Sequence, residues 1–185
     1  TRQVRALYPD ALVAEAVSST IVRNAMKKRE HIDAKSPEEG LLWLKEQGAT
    51  HIVVFPTHVI DGIENHRMKQ VVEEYKTDFK QITVADALLA KSCDYTNVAK
   101  ALWESLKEKV GNAPLILMGH GTEHTADSSY AVMEQALQVY AQQPVYIATV
   151  EGKRTIADVI AQMQSEDIVN VRVVVAPFML VAGDH

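Results

Sequence analysis

Three nearly uninterrupted apolar runs in the second half of the chain, Leu-Ile-Leu-Met at 115–118, Val-Tyr-Ile-Ala-Thr-Val at 145–150 and Val-Arg-Val-Val-Val-Ala at 171–176, restrict the possible folds more than any other feature. A strand with one wet face alternates apolar and polar residues, whereas a strand covered on both faces does not. Each run is followed or preceded by a stretch with helical spacing, and a strand-helix-strand order supplies the long crossover that parallel strands need. The sheet is therefore expected to be parallel, with helices on both sides.

The remaining elements follow the same rhythm. A strand is expected over 11–17, then a helix over 19–29 with Ser18 or Ser19 as N-cap and Ile21, Val22, Ala25 and Met26 on its apolar face. Ser36-Pro37-Glu38-Glu39 combines an N-cap, a first-turn proline and a capping-box glutamate. Gly48 closes the helix that carries Leu41, Leu42 and Leu44. Strands over 51–56 and 82–89 flank a helix over 64–79, and Asp94 caps a helix over 94–110. Strands over 114–118, 145–150 and 169–175 alternate with helices over about 123–142 and over 156–164, the latter capped by Thr155. The pattern predicts an α/β fold of two similar doubly wound parallel-sheet lobes, residues 1–90 and 91–185, with an active-site cleft between them.

Composition narrows the functional classes. Of 185 residues 47% are hydrophobic and 23% charged, values that exclude a disordered or fibrous chain. The net charge of −5 argues against a general nucleic-acid-binding surface, although the first 35 residues hold seven Lys/Arg against four Asp/Glu and would attract a polyanionic ligand. The single cysteine, Cys93, can form no internal disulfide and has no thiolate-stabilising context. No apolar run approaches a membrane span and no secretory stretch opens the chain, so a cytoplasmic protein without membrane contact is expected. Both ends are abrupt, which reads as a chain trimmed at each end.

In open parallel sheets, ligands bind beyond the carboxyl ends of the strands. Three residues stand there: His120 within Gly119-His120-Gly121, Glu151 after the 145–150 run, and His185 after the last apolar stretch. They are 31 and 34 residues apart, each about one strand-helix-strand unit, so with strands ~4.8 Å apart one divalent ion could be shared. Two imidazoles and a carboxylate suit zinc, iron(II), cobalt or nickel better than magnesium. Gly119 and Gly121 would let a ligand approach the backbone. A helix cap or an ordinary hydrogen-bonded loop residue remains the alternative for the histidines.

Met118-Gly119-His120-Gly121 with His124, Thr149-Val150-Glu151-Gly152, and Pro177-Phe178-Met179-Leu180-Val181-Ala182-Gly183-Asp184-His185 together resemble the anaerobic sirohydrochlorin cobalt chelatases, relatives of the class II ferrochelatases. Phe55-Pro56-Thr57-His58-Val59-Ile60-Asp61-Gly62 and Ser36-Pro37-Glu38-Glu39 resemble the first lobe of that family, so the similarity covers nearly the whole chain. The resemblance implies that His120, Glu151 and His185 hold the incoming metal and that His58 faces the tetrapyrrole from the opposite side. Family members also begin with a further strand and a Gly-Thr/Ser loop and continue beyond the closing motif.

Other marked residues have plainer readings. Glu64 and His66 stand on different helix faces and make no ready metal pair, and His124 can support the site from behind. Arg23, Lys27, Lys28 and Arg29 form either a solvated face or an attractor for substrate carboxylates, with Arg23 best placed for the second role. Trp43 and Trp103 read as core residues.

With the resemblance, the expected activity is that of a metal chelatase, a lyase that inserts cobalt(II) into free-base sirohydrochlorin or a related tetrapyrrole on the anaerobic cobalamin route. Nickel, iron or zinc could substitute for cobalt, and no phosphate-cradling loop implies a nucleotide. His120 and Glu151 are the expected catalytic residues, and His58, Arg23, Gly119 and Gly121 the expected substrate contacts. A non-catalytic metal or haem-binding protein on the same fold, a chelatase for iron or nickel, a metallohydrolase and a homo-oligomeric state all stay open.

Overall fold

The computed structural model describes residues 2–179. Its contacts divide the chain into two units, the first built from residues 2–56 and 64–85, the second from residues 57–63 and 86–179.

The first unit contains helices α1 (Arg2–Leu7), α2 (Thr20–Glu30), α3 (Pro37–Glu46) and α4 (Ile63–Glu74, from Glu64 onward), with strands β1 (His51–Val54) and β2 (Gln81–Val84). β1 and β2 pair in parallel, Ile52 opposite Ile82. Leu41, Met68, Val72 and Phe79 pack with Ile52 into the core of this unit. The capping box forms as expected: Ser36 Oγ accepts the Glu39 N–H at 3.1 Å and Glu39 Oε2 accepts the Ser36 N–H at 2.7 Å. The stretch 11–17 is not a strand. Among the described residues its one β-bridge joins Ala16 to Lys35, and Leu12 is exposed, so local β propensity has no ladder to complete.

The second unit centres on β3 (Leu115–Gly119), flanked in parallel by β4 (Val145–Thr149) and β5 (Val174–Pro177), in the order β4-β3-β5. The apolar runs at 115–118 and 145–150 now have their explanation, whereas the run at 171–176 is not covered on both faces and leaves Val171 and Val175 exposed. In β3 and β4 alternate residues point to opposite faces of the sheet, and both faces are covered. Leu115, Leu117, Val145 and Ile147 join Met133 and Leu137 of α6 (Ser128–Ala141) and Ala99 of α5 (Ser92–Val110) on one side. Ile116, Tyr146 and Ala148 join Val159 and Met163 of α7 (Ile156–Ser165) on the other.

Several boundaries differ from expectation: the strands expected over 51–56 and 82–89 end at Val54 and Val84, the helix expected over 64–79 ends at Glu74, and three further cases have a visible local cause. β5 starts at Val174 rather than near 169, because Asp167 and Asn170 take left-handed backbone conformations (φ 59° and 55°) that break an extended path. α5 begins at Ser92 and Asp94 sits one turn in, its carboxylate accepting the N–H groups of Ala90 and Lys91. α6 begins only at Ser128, after a 3-10 turn over Thr125–Asp127.

β4 has no strand on the side away from β3 among the described residues. Its outward Ile147 N–H is taken instead by Glu134 Oε2 at 2.6 Å, and its Thr149 N–H by the Arg154 carbonyl at 2.7 Å. Arg154 grips both Glu134 oxygens at 2.7 Å and donates to Gln162 at 2.6 Å. The buried carboxylate is thereby paired and hydrogen-bonded, as burial of a charge requires.

Candidate metal centre

The paired register of β3 and β4 sets the geometry. Gly119 lies opposite Thr149, so the two strands end level and release their next residues side by side. The His120 carbonyl accepts N–H groups from Val150 at 3.1 Å and Glu151 at 2.8 Å, which carries the parallel pairing into the loops. His120 Nε2 and Glu151 Oε2 stand 3.3 Å apart, with 48% and 62% of their side-chain surfaces exposed. An imidazole and a carboxylate converging in solvent reach can share an ion and also pass a proton.

Backbone proximity explains the glycines. A Cβ on Gly119 would fall 2.4 Å from the Tyr130 ring, and one on Gly121 (φ +82°) would fall 2.2 Å from the Gly152 nitrogen. Neither position accepts a side chain, so the glycines serve the joining of two loops. Tyr130 lies beneath them: its hydroxyl oxygen accepts the Gly121 N–H at 3.3 Å, and its ring meets Phe178 edge-on at 6.2 Å. Burial raises the pKa of this hydroxyl and keeps it neutral.

His185 lies outside the described residues, as does the end of the closing motif. The chain approaching it leaves β5 beside β3, where Phe178 N–H donates to the Met118 carbonyl at 2.7 Å. Among the described residues no group of three His, Cys, Asp or Glu forms a metal cluster, and the structure brings together two of the three expected ligands.

His58 belongs to the segment 57–63, which packs within the same unit as His120 and Glu151. The carbonyls of His58 and Val59 accept the N–H groups of Leu88 and Leu89, and Gly62 lies against Thr122 in the His120 loop. His58 itself is half-buried. His124 caps the 3-10 turn, its Nδ1 accepting the Ala126 N–H at 3.2 Å.

Arg23 takes a local part. Its guanidinium donates to the Val17 carbonyl at 2.6 Å, the Ser18 carbonyl at 3.0 Å and Thr20 Oγ1 at 3.0 Å, fastening the extended stretch to the start of α2. It borders a depression of about 390 Å³ in which Lys27 and Lys35 are offset by Asp33 and Glu39, with Lys27 and Asp33 paired at 3.0 Å.

The sequence reading did not single out Asp127. It stands directly before α6 and has the residue type of an N-cap, yet makes no side-chain cap. The carboxylate instead accepts the Thr122 N–H on Oδ1 at 3.1 Å and the Lys153 N–H on Oδ2 at 3.0 Å.

A model of the cobalt chelatase family CbiK matches residues 1–185. The chain is 28% identical over its full length to the sirohydrochlorin cobaltochelatase of Salmonella typhimurium, spanning 69% of that protein. It is 31% identical, over 99% of its length, to the sirohydrochlorin cobaltochelatase CbiKC of Nitratidesulfovibrio vulgaris, of which it spans 64%. A solved structure of SirB from Bacillus subtilis with Fe3+ superposes with a TM-score of 0.56 over 92% of this chain and 75% of that one, at 17% identity, a likeness of fold.

Proposed function

The chain belongs to the CbiK cobalt chelatase family, and from that premise we propose that it catalyses insertion of cobalt(II) into sirohydrochlorin. The observation that supports this most directly is the His120–Glu151 pair, placed 3.3 Å apart by two parallel strands that end level. Insertion exchanges one divalent cation for the two pyrrole N–H protons of the macrocycle. It changes no oxidation state and needs no nucleotide.

His120 supplies a neutral imidazole to the arriving cobalt, and Glu151 supplies negative charge and takes one pyrrole proton as the metal enters, the second leaving to solvent through the exposed mouth of the site. His185, the third ligand expected from the sequence and outside the described residues, would complete the set and leave further positions for the pyrrole nitrogens. A site that exposes about half of both side chains holds a metal without enclosing it, as a delivery step demands. Gly119 and Gly121, where a Cβ would meet the Tyr130 ring and the Gly152 backbone, let the His120 loop close against the Glu151 loop, and His58 lies on the segment 57–63 of the same unit. Nickel, iron or zinc can occupy the same donors, since affinity follows the metal more than such a site. We read the two units as the two lobes expected over 1–90 and 91–185, except that residues 57–63 and 86–90 group with the second, and the protein as acting in the cytoplasm. Arg23, with three of its donors engaged by its own segment, contributes to the substrate site at most through its charge.

Visible spectroscopy of the purified protein mixed with sirohydrochlorin and cobalt(II) tests the proposal. The metallated spectrum should form faster than without protein, and His120→Ala should lose that acceleration. A rate equal to the uncatalysed one, or unimpaired insertion by His120→Ala, would overturn it.

A further inference from the structure

We propose that Asp127 is a positioning residue that fixes the spacing of His120 and Glu151 by clamping the two loops that carry them. The inference rests on the reading of those two residues as a metal-binding pair. Asp127 is buried, and its two carboxylate oxygens serve different loops. Oδ1 accepts the N–H of Thr122, two residues beyond His120, while Oδ2 accepts the N–H of Lys153, two residues beyond Glu151. The clamp is therefore symmetric about the pair. With the Glu151 N–H to His120 carbonyl bond at 2.8 Å, it ties the two loops together both at the proposed ligands and two residues beyond them.

The surroundings are shaped around this carboxylate. A Cβ on Gly152 would lie 2.3 Å from Asp127 Oδ1 and 2.5 Å from Thr149 Oγ1, so the Glu151 loop reaches Asp127 only because residue 152 lacks a side chain. Asp127 also forgoes the cap of α6 that its position offers. An ionised carboxylate suits the task because it is acceptor-only on both oxygens. Asparagine would turn an amide donor against one of the two N–H groups and release that loop.

Cobalt(II) titration followed by visible absorption, combined with steady-state insertion kinetics, separates the outcomes. Wild type is compared with Asp127→Asn, Asp127→Ala, Gly152→Ala and His120→Ala. Residues that orient metal ligands change metal affinity by about 10–100-fold when replaced. Asp127→Asn should weaken cobalt binding by about tenfold, alter the spectrum of the bound ion and lower kcat, with KM for sirohydrochlorin within about twofold of wild type. Gly152→Ala, which crowds the same carboxylate while leaving it present, should reproduce that pattern if Asp127→Ala does not fold. Wild-type cobalt affinity, spectrum and kcat in Asp127→Asn would overturn the proposal, as would a rise in KM alone. Cobalt binding that is indifferent to His120→Ala would instead overturn the reading of the metal pair.

Discussion

The two parallel sheets of this chain differ in how completely they are covered. In β1 and β2 buried or half-buried residues alternate with exposed ones, and Val53 is 74% exposed. In β4 all five residues are buried, and in β3 four of five. The difference bears on function. A strand packed on both faces cannot shift without disturbing two cores, so the loop leaving its carboxyl end starts from a fixed point. His120 and Glu151 both leave such strands, whereas β1 is followed by the exposed Phe55.

Replacing Glu151 should have the largest effect on chemistry. Glu151→Gln keeps the shape of the side chain and removes the base, so kcat for insertion should fall about 10²–10⁴-fold, with cobalt affinity reduced less. Stopped-flow insertion beside cobalt titration checks this, and equal losses in rate and affinity would mean ligation alone. A direct test of the sheet contrast comes next: Leu117→Ala, at the centre of β3, should cost about 2–5 kcal/mol in denaturant unfolding. Val53→Ala in β1 should stay within about 0.5 kcal/mol. Similar losses would erase the distinction between the sheets.

Smaller effects sharpen the comparison. Ser36→Ala breaks the capping box of α3 in the first unit and should cost about 1 kcal/mol by chemical denaturation while leaving cobalt binding unchanged. The smallest effect is expected at high pH. Burial, then the hydrogen bond to Glu166, raises the Tyr146 pKa in the folded protein, so the denatured chain ionises first, near the ordinary tyrosine value of about 10. A raised folded pKa gives stability that is complete below the unfolded value and declines as pH rises through the folded one. Tyr146→Phe should flatten that alkaline decline in thermal melts, whereas Tyr75→Phe should barely alter it, because the Tyr75 hydroxyl is raised chiefly by an exposed hydrogen bond to Glu38.

Much of this was legible in the residues themselves. Ser36-Pro37-Glu38-Glu39 and Thr155 named their helix starts because a cap is a local event with local signals. The buried strands β3 and β4 announced themselves by their apolar runs, but the run at 171–176 leads into β5, where half-buried and exposed residues alternate, so an apolar run alone does not tell a covered strand from a half-covered one. The stretch 11–17 did not form its expected strand because a strand depends on a partner, and the pairing of Ala16 with Lys35 is not extended by its neighbours. His120 and Glu151 were singled out because both follow strands, and parallel strands ending level bring their side chains together. Asp127 escaped notice because its residue type and position matched a helix cap, and its actual partners, Thr122 and Lys153, are backbone groups whose convergence depends on two loops meeting. Arg23 looked available for a ligand because its hydrogen bonds run to backbone carbonyls, which composition and helical spacing do not reveal.

The Glu134–Arg154 pair beside β4 has a consequence for how copies of the chain behave in solution. An uncovered strand margin recruits strands from other molecules and is a starting point for aggregation. Here two of the groups that would receive such a strand, the N–H of Ile147 and the N–H of Thr149, are already occupied by a side-chain carboxylate and by the chain's own return through Arg154. The most apolar sheet of the molecule, the one most prone to recruit others, thus has this margin closed by charge and by its own loop, and a fully apolar strand can be carried there without inviting growth of the sheet from molecule to molecule.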